Sequence, residues 1–256
     1  MSGAFEIAGI GLSAQQKALD TVASNIANIN TAGYKRSDIA FAELISVSAP
    51  QSQPSARLET VTQVAGLSAS LVPQIDVQGT LDPTGGALDI AVDGGGFIEI
   101  LGPDGRSLLW RGGTMKVTDD GLLAASNGLP LRALISVPRD AGELAISPDG
   151  RVLAKTGSDP APVELGQITL VRPAAASALT RLDGGYYEAG QFSTLIEALP
   201  GEDGAGLIVQ GAIERSNVDL NSEMVQMMII QRAYSANAKV IQAADEVATI
   251  INSLRR

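Results

Sequence analysis

The two ends of the chain carry apolar residues at the spacing of helices that pack against other helices. From Phe5 to Ile29, successive apolar positions are seven, seven, three, four and three residues apart, and from Ile230 to Leu254 they follow in steps of three and four. A mean step of about 3.5 residues is typical of a coiled-coil seam. Because neither segment can bury its apolar face alone, we predict two long helices that need helical partners, from this chain or from other copies. A helix packed on its own globular domain is the alternative.

The predicted N-terminal helix covers residues 4–30 and ends near three closely spaced asparagines. Gly33 follows, and it can adopt the left-handed conformation that closes a helix. The asparagines at positions 25, 28 and 30 have two interpretations. They bond to the backbone and end the helix, or they form hydrogen bonds between helices in an assembly.

The predicted C-terminal helix covers residues 216–254 and is apolar on two faces. Asn237 lies in the first apolar line, where a buried asparagine fixes the register of a coil at some loss of stability. A second line runs through Met227, Tyr234 and Ile241 on a neighbouring face. A helix that is apolar on two faces is contacted from two sides.

The middle of the chain has strand-sized apolar runs separated by Asp-Gly and Asn-Gly pairs, which supply the positive φ angle of tight hairpins. The predicted strands are Leu88–Val92, Phe97–Leu101, Leu131–Val137, Ile168–Val171 and Leu207–Val209. We therefore predict an α+β fold in which long N- and C-terminal helices pair as a coiled coil around a central antiparallel β-domain. The predicted parts are the N-terminal helix (1–34), an extended connector (35–78), the β-rich domain (79–215) and the C-terminal helix (216–256).

The composition excludes several classes of function. The chain has no histidine and no cysteine, so the commonest general base and the usual zinc ligands are missing. Its net charge of −10 argues against a nucleic-acid partner. Gly94, Gly95 and Gly96 precede a strand and lack the lysine and the helix of a phosphate loop. We predict no enzyme activity, no catalytic or metal-binding residues and no cofactor.

No apolar run is long enough to cross a membrane, and the N-terminus lacks the basic and then apolar pattern of a cleavable signal peptide. We therefore predict no membrane insertion. The protein stays in the cytosol or leaves it by a route without such a signal.

Three stretches resemble a known family. Residues 24–35 (Ser-Asn-Ile-Ala-Asn-Ile-Asn-Thr-Ala-Gly-Tyr-Lys) resemble the N-terminal signature of bacterial flagellar rod and hook proteins. The C-terminal signature of the same family is matched by four short segments, residues 216–220, 223–224, 231–234 and 237–241, which are similar to it. Residues 88–97 are similar to the segment that opens the β-domain of this family. The three stretches occur in the order of the family.

The resemblance implies that the two helices form an inner coiled-coil layer, and that copies stack helically into a hollow axial tube. It implies as partners other copies of the chain, other flagellar rod and hook proteins, and the surrounding ring proteins. It also implies a place in the periplasmic part of the rod of the flagellar basal body, reached by type III export without a cleaved signal peptide. The length fits a rod member, the distal one best, with a proximal rod or hook subunit as the alternative. In a different class, the alternative is a β-rich fibre or adhesin module oligomerised by its terminal helices.

The residues predicted to pack subunits together all lie on the apolar lines of the helices or in the asparagine cluster. In the N-terminal helix they are Leu12, Leu19, Val22, Asn25, Ile26, Asn28 and Ile29. In the C-terminal helix they are Met227, Ile230, Gln231, Tyr234, Asn237, Val240, Ile241, Val247 and Ile251.

Overall fold

The computed structural model describes residues 2–46, 63–156, 162–175, 179–190 and 194–254. The chain divides into two compact units. The terminal unit comprises Met1–Ser24, Ser37–Leu71 and Leu220–Arg256, and the central unit comprises Asn25–Arg36 and Val72–Asp219.

Two long helices provide most of the terminal unit. Helix α1 covers Ser2–Ala27 and helix α2 covers Leu220–Leu254. Helix α2 begins directly after Asp219, a residue type favoured at the helix N-cap, and contains neither proline nor glycine. Strands β1 (Ser37–Ser46) and β2 (Gln63–Pro73) pair in a two-stranded sheet. Strand β2 overlaps the second half of the predicted connector, whereas nothing in the sequence predicted β1.

Helix α1 ends three residues before the predicted position. The backbone N–H groups of Asn28 and Ile29 donate to carbonyl oxygens only three residues earlier, at 3.2 and 3.3 Å, so the α-helical pattern is already lost there. Gly33 has a φ angle of 68°, which confirms the predicted left-handed conformation after the helix.

The central unit is built from short strands. They are β3 Leu81–Pro83, β4 Asp89–Asp93, β5 Phe97–Leu101, β6 Ser107–Trp110, β7 Gly112–Val117, β8 Leu123–Ala125, β9 Ala141–Ile146, β10 Arg151–Thr156, β11 Val163–Gln167, β12 Leu170–Pro173, β13 Leu179–Arg181, β14 Tyr186–Ala189, β15 Leu195–Ala198, β16 Leu207–Gln210 and β17 Ala212–Glu214. They form sheets in the orders β13-β14-β6-β5-β12-β15, β16-β4-β7-β8, β11-β10-β9 and β17-β3. Each of these pairings is antiparallel, as predicted.

The six-stranded sheet buries both of its faces. In β5, Ile98 and Ile100 point into the main core, which is largely aliphatic. Phe97 points to the opposite face and belongs to a second, smaller core with Tyr187, whose ring centroid lies 5.5 Å away in an edge-to-face arrangement. Because side chains alternate along a strand, one short sequence supplies two cores.

All seven Asp-Gly and Asn-Gly pairs of the chain have the predicted geometry, because the glycine of each pair has a positive φ angle. Phe97–Leu101 is a strand with the predicted bounds, and the segments at 88, 168 and 207 contain strands displaced by no more than two residues at either end. The predicted strand Leu131–Val137 is wrong. It makes only isolated bridges, because Leu134 has a φ angle of 46° and donates its N–H to the Leu131 carbonyl in a turn.

Candidate functional site

Three charged side chains meet in the interior of the central unit. The Lys35 Nζ atom lies 2.6 Å from Glu214 Oε1, and the Arg111 Nε atom lies 2.8 Å from Glu214 Oε2. All three side chains are almost fully buried, with relative exposures of 0–1%. We call Lys35, Arg111 and Glu214 the ionic anchor.

The ionic anchor holds two positive charges against one negative charge, and backbone oxygens compensate the excess. Arg111 donates to the carbonyl oxygens of Gly96 at 2.5 Å and Val92 at 3.1 Å. Lys35 Nζ donates to the Val77 carbonyl at 2.8 Å. A buried charge is tolerated only when it is paired and hydrogen-bonded, so this network is the condition for burying the three groups.

Desolvation dominates the electrostatics of Lys35. Burial lowers its pKa from the ordinary value, and the neighbouring Arg111 charge lowers it further. Glu214 acts in the opposite direction, through its charge and its hydrogen bond. The charge of Asp76 acts in the same direction as Glu214. The charged form of Lys35 therefore depends mainly on the carboxylate of Glu214, which also accepts its hydrogen bond.

Two tyrosines surround this network. The Tyr187 hydroxyl accepts a hydrogen bond from the Lys35 backbone N–H at 2.8 Å. Tyr34 donates its hydroxyl to Asn25 Oδ1 at 3.0 Å, and the Arg181 guanidinium lies over its ring at 4.8 Å from the centroid. These contacts fix the segment that follows α1 on the second core of the six-stranded sheet.

The segment after α1 also bonds directly to the segment before α2. Gly33 N–H donates to the Glu214 carbonyl at 2.8 Å, and Arg36 N–H donates to Asn217 Oδ1 at 2.6 Å. The Asn217 amide in turn donates to the Val77 carbonyl at 2.9 Å. Residues from all three stretches that carry the family resemblance therefore meet around the ionic anchor: Lys35, Asn217, and the carbonyl groups of Val92 and Gly96. The rest of the C-terminal stretch lies on α2 in the terminal unit.

Sequence analysis did not predict the ionic anchor. Lys35 and Asn217 lie within the resemblance stretches, but Arg111 and Glu214 lie outside them and 103 positions apart. No local spacing connects such residues. A lone Glu in an otherwise apolar strand, Ala212–Glu214, was the available signal.

The residues predicted to pack subunits in α1 and in the turn after it differ in burial. Val22 and Asn25 are buried, with exposures of 4% and 1%, whereas Leu12, Leu19, Ile26, Asn28 and Ile29 are partly buried. The Asn25 side chain has a partner in the same chain, the Tyr34 hydroxyl. Their role between subunits remains a prediction.

Each of the two predicted apolar lines of α2 contains both covered and exposed side chains. Ile230 is buried and Met227, Asn237 and Ile241 are partly buried, whereas Gln231, Tyr234, Val240 and Val247 are exposed. The Ile251 side chain lies outside the described residues. Five exposed apolar side chains lie along one further line of this helix, which we call the exposed line: Val225, Ile229, Val240, Val247 and Ile250. Other exposed apolar side chains of α2 lie off this line, and they are Leu220, Met224, Met228 and Tyr234. At 3.6 residues per turn this exposed line lies roughly 120° around the helix from the covered line through Ile230.

Helix α1 approaches α2 closely at one point within the terminal unit. A Cβ atom placed on Gly11 would lie 3.0 Å from Asn237 Nδ2. The side chain of Asn237 therefore occupies the space that a larger residue at position 11 would fill.

The glycine cluster at 94–96 is explained by backbone packing. A Cβ atom on Gly94 would lie 2.9 Å from the Gly206 Cα atom.

Within the described residues, no group of three acidic side chains is arranged to hold a metal ion. In the same residues, no helix has the length and apolar character to span a membrane.

Family models match three parts of the chain. The "Flagella basal body rod protein" model matches residues 5–35, the "Flagellar hook protein FlgE/F/G D1 domain" model matches residues 91–154, and the "Flagellar basal body rod FlgEFG protein C-terminal" model matches residues 209–254. The first of these models includes Lys35, and the third includes Glu214. We call the contact between the segment after α1 and the segment before α2 the junction.

Full-length relatives agree with these matches. The flagellar basal-body rod protein FlgG of Agrobacterium fabrum is 34% identical over 97% of this chain and 98% of its own length. FlgG of Caulobacter vibrioides is 34% identical over 98% of this chain and 99% of its own length. FlgF of the same organism is 29% identical over 93% of each chain.

The chain therefore belongs to the family of bacterial flagellar basal-body rod proteins, and it is a structural subunit of the flagellar basal body. Within that family it is similar along its whole length to the distal rod protein FlgG. The fibre or adhesin alternative is not favoured.

Proposed function

We propose that copies of this chain polymerise helically into the axial drive shaft that transmits torque from the flagellar motor to the hook. The observation that carries this proposal is the exposed apolar line of α2. Val225, Ile229, Val240, Val247 and Ile250 have exposures of 51–57% in the isolated chain. A line of large apolar residues along a helix marks an interaction surface. Burying a fully exposed side chain of this size contributes about 1.5–3 kcal/mol, so covering the exposed half of each contributes roughly half of that.

In the proposed rod, α1 and α2 of one subunit pair as a coiled coil in the inner layer. The covered line of α2 and the close approach of Gly11 to Asn237 support this pairing. The exposed line then packs against helices of neighbouring copies, so each α2 is contacted from two sides. Interlocked side chains at core density resist shear.

The ionic anchor supports the mechanical role. It ties the segment after α1 to the segment before α2 through a carboxylate buried in the central unit. Moving either segment away would separate buried opposite charges, which is strongly unfavourable. The anchor therefore makes the junction stiff.

We further propose that the predicted division into parts 1–34, 35–78, 79–215 and 216–256 describes the subunit within the rod. Its partners are other copies, the other rod and hook proteins, and the surrounding rings. Its place is the periplasmic part of the rod, reached by export without a cleaved signal peptide.

A substitution within the exposed line tests the packing proposal. Val240→Asp places a charge on a side chain that is 54% exposed in the isolated chain, so the subunit should still fold, whereas polymerisation and swimming should be lost. Gln242→Asp is the matched control, because Gln242 is exposed but lies away from both lines of α2. Normal swimming of the Val240→Asp strain would contradict the proposal.

Electron microscopy of basal bodies tests the place in the rod. In a strain that lacks this chain, the proposal predicts basal bodies whose rod stops before its distal part. A complete rod without a hook, or the loss of the whole rod, would contradict the distal position.

A further inference from the structure

We propose that Gly11 and Asn237 set the register of α1 against α2. The inference deepens the proposed function and rests on the pairing of the two helices stated there. It assigns a role to one glycine and one asparagine that the packing of large apolar residues does not explain.

The first observation is the space at Gly11. A Cβ atom at this position would lie 3.0 Å from Asn237 Nδ2 and 3.9 Å from Asn237 Cγ. At Gly9, two residues earlier in the same helix, a Cβ atom would meet no described heavy atom within 4 Å. Glycine in a helix lowers stability relative to alanine. Of these two glycines, Gly11 alone has a neighbour that accounts for that loss.

The second observation is the position of Asn237 on α2. It lies on the covered line, one heptad after the buried Ile230 and one heptad before Ala244. A polar residue on an apolar line lowers the stability of a pair of helices and restricts the alignments that the pair can adopt.

A slip of one heptad identifies what Gly11 contributes. In either direction, the residue brought opposite Asn237 is alanine, at position 4 or 18. Each alanine carries the Cβ atom for which Gly11 leaves space, and real Cβ atoms are rarely as near a neighbour as 3.0 Å. The slipped alignments therefore meet a steric conflict that the aligned pair avoids.

A fixed register has a consequence for the polymer. The exposed line of α2 must occupy the same position in every copy for identical contacts to repeat along a tube. Apolar heptads alone permit slips by seven residues, because they repeat. The Gly11–Asn237 contact removes that degeneracy within each subunit.

Spin labels at exposed positions test the register without replacing Gly11 or Asn237, because the chain has no cysteine of its own to react. Gln16→Cys on α1 and Gln242→Cys on α2, both exposed, carry the labels, and pulsed electron spin resonance of the purified chain measures their separation. One distance is expected with Gly11 and Asn237 present. Adding Gly11→Ala and Asn237→Ala should produce further distances, because a slip of one heptad moves one helix along the other by about 10 Å. A single, unchanged distance after both substitutions would overturn the proposal.

Alanine substitutions give an independent measurement. Gly9→Ala should raise the midpoint of thermal unfolding of the helices, and Gly11→Ala should lower it although both remove a helical glycine. Adding Asn237→Ala to Gly11→Ala should restore the midpoint. If Gly11→Ala is as stabilising as Gly9→Ala, the steric role is excluded. These readouts use the purified chain, so a failure here is distinguishable from a failure of rod assembly in the Val240→Asp strain.

Discussion

Glu214 holds the ammonium group of Lys35 at 2.6 Å although 179 positions separate the two residues in the chain. The same carboxylate accepts hydrogen bonds from Arg111 Nε and from the Gly79 backbone N–H, both at 2.8 Å. Glu214 is therefore the common acceptor of the ionic anchor, and the stability of the junction depends on its charge.

Replacing Glu214 by glutamine should strongly destabilise the central unit. Glu214→Gln leaves the Lys35 and Arg111 charges buried without a counter-ion. Removing one partner of a buried ion pair lowers the free energy of unfolding by about 3–5 kcal/mol. Denaturant unfolding of the purified chain measures the loss.

The matched control is Glu202→Gln, which removes an exposed carboxylate from the turn after β15. We expect a change of less than about 0.5 kcal/mol at this surface position. Similar losses in the two variants would show that the ionic anchor does not hold the junction.

Replacing Lys35 by methionine should destabilise less than replacing Glu214. Lys35→Met leaves one cation, Arg111, paired with one carboxylate, so no net charge stays buried. The lowered pKa of Lys35 shows that burial already disfavours its charge. Denaturant unfolding of Lys35→Met and Glu214→Gln under the same conditions compares them. A larger loss for Lys35→Met would contradict the assignment of Glu214 as the common acceptor.

Alkaline pH should unfold the chain partly through Tyr187. Burial raises the pKa of its phenol well above the ordinary value, so the folded state keeps the proton that the unfolded state loses above about pH 10. The stabilisation from the neutral phenol is therefore complete below that pH and is lost as the pH rises further. The free energy of unfolding, measured as a function of pH, should fall above pH 10.

Tyr187→Phe is the control for this pH dependence. It removes the acceptor of the Lys35 N–H and should destabilise at every pH, but the fall above pH 10 should become shallower. Lys35 acts with the opposite sign. Because its pKa is lowered in the folded state, the folded chain releases this proton before the unfolded chain does, and the free energy of unfolding rises with pH up to the ordinary pKa of lysine. The comparison is therefore made between the curves of unfolding free energy against pH for the Tyr187→Phe variant and for the unmodified chain. Parallel curves would argue against a protonated, buried Tyr187.

Replacing Gln15 by methionine should stabilise the terminal unit. The Gln15 Oε1 atom is buried and accepts no hydrogen bond from the described residues. An unsatisfied buried acceptor lowers stability by about 1–3 kcal/mol, and methionine has nearly the same shape without that oxygen. The expected gain appears as a higher midpoint in thermal unfolding followed by the helical circular dichroism signal.

Gln16→Met is the comparison for Gln15→Met. Gln16 is exposed and donates to Asp20 Oδ1 at 3.1 Å, so its replacement should lower helix stability by a few tenths of a kcal/mol. An equal shift in both variants would mean that general helix propensity, and not the buried oxygen, is responsible.

Elements with strong local patterns could be predicted from the sequence. The heptad spacing predicted both helices, and the Asp-Gly and Asn-Gly pairs predicted the turns. Both signals could be used because they depend only on residues that are close together in the sequence. The strand predicted at Leu131–Val137 failed because the positive φ angle of Leu134 depends on the fold around it. The heptad line also grouped Val240 with Ile230, although one is exposed and the other buried. Spacing alone does not show which face a partner covers.

The ionic anchor could not be predicted because its members share no local pattern. Lys35, Arg111 and Glu214 come together only after the chain has folded into sheets that connect distant segments. Lys35 has a charged neighbour in the sequence, Arg36, but no clustering of charges along the sequence connects Lys35, Arg111 and Glu214. Only the resemblance stretches that contain Lys35 and Asn217 indicated that this region mattered.

The position of Glu214 in β17, the last strand before α2, has a consequence for the order of folding. Lys35 and Arg111 precede it by many residues, and closing such long loops carries an entropy cost that is recovered only when the last partner arrives. A chain that stops before β17 keeps both cations in water and lacks the strand that pairs with β3. Completion of the junction therefore requires the chain through β17, and a copy truncated before that strand lacks the common acceptor of the ionic anchor.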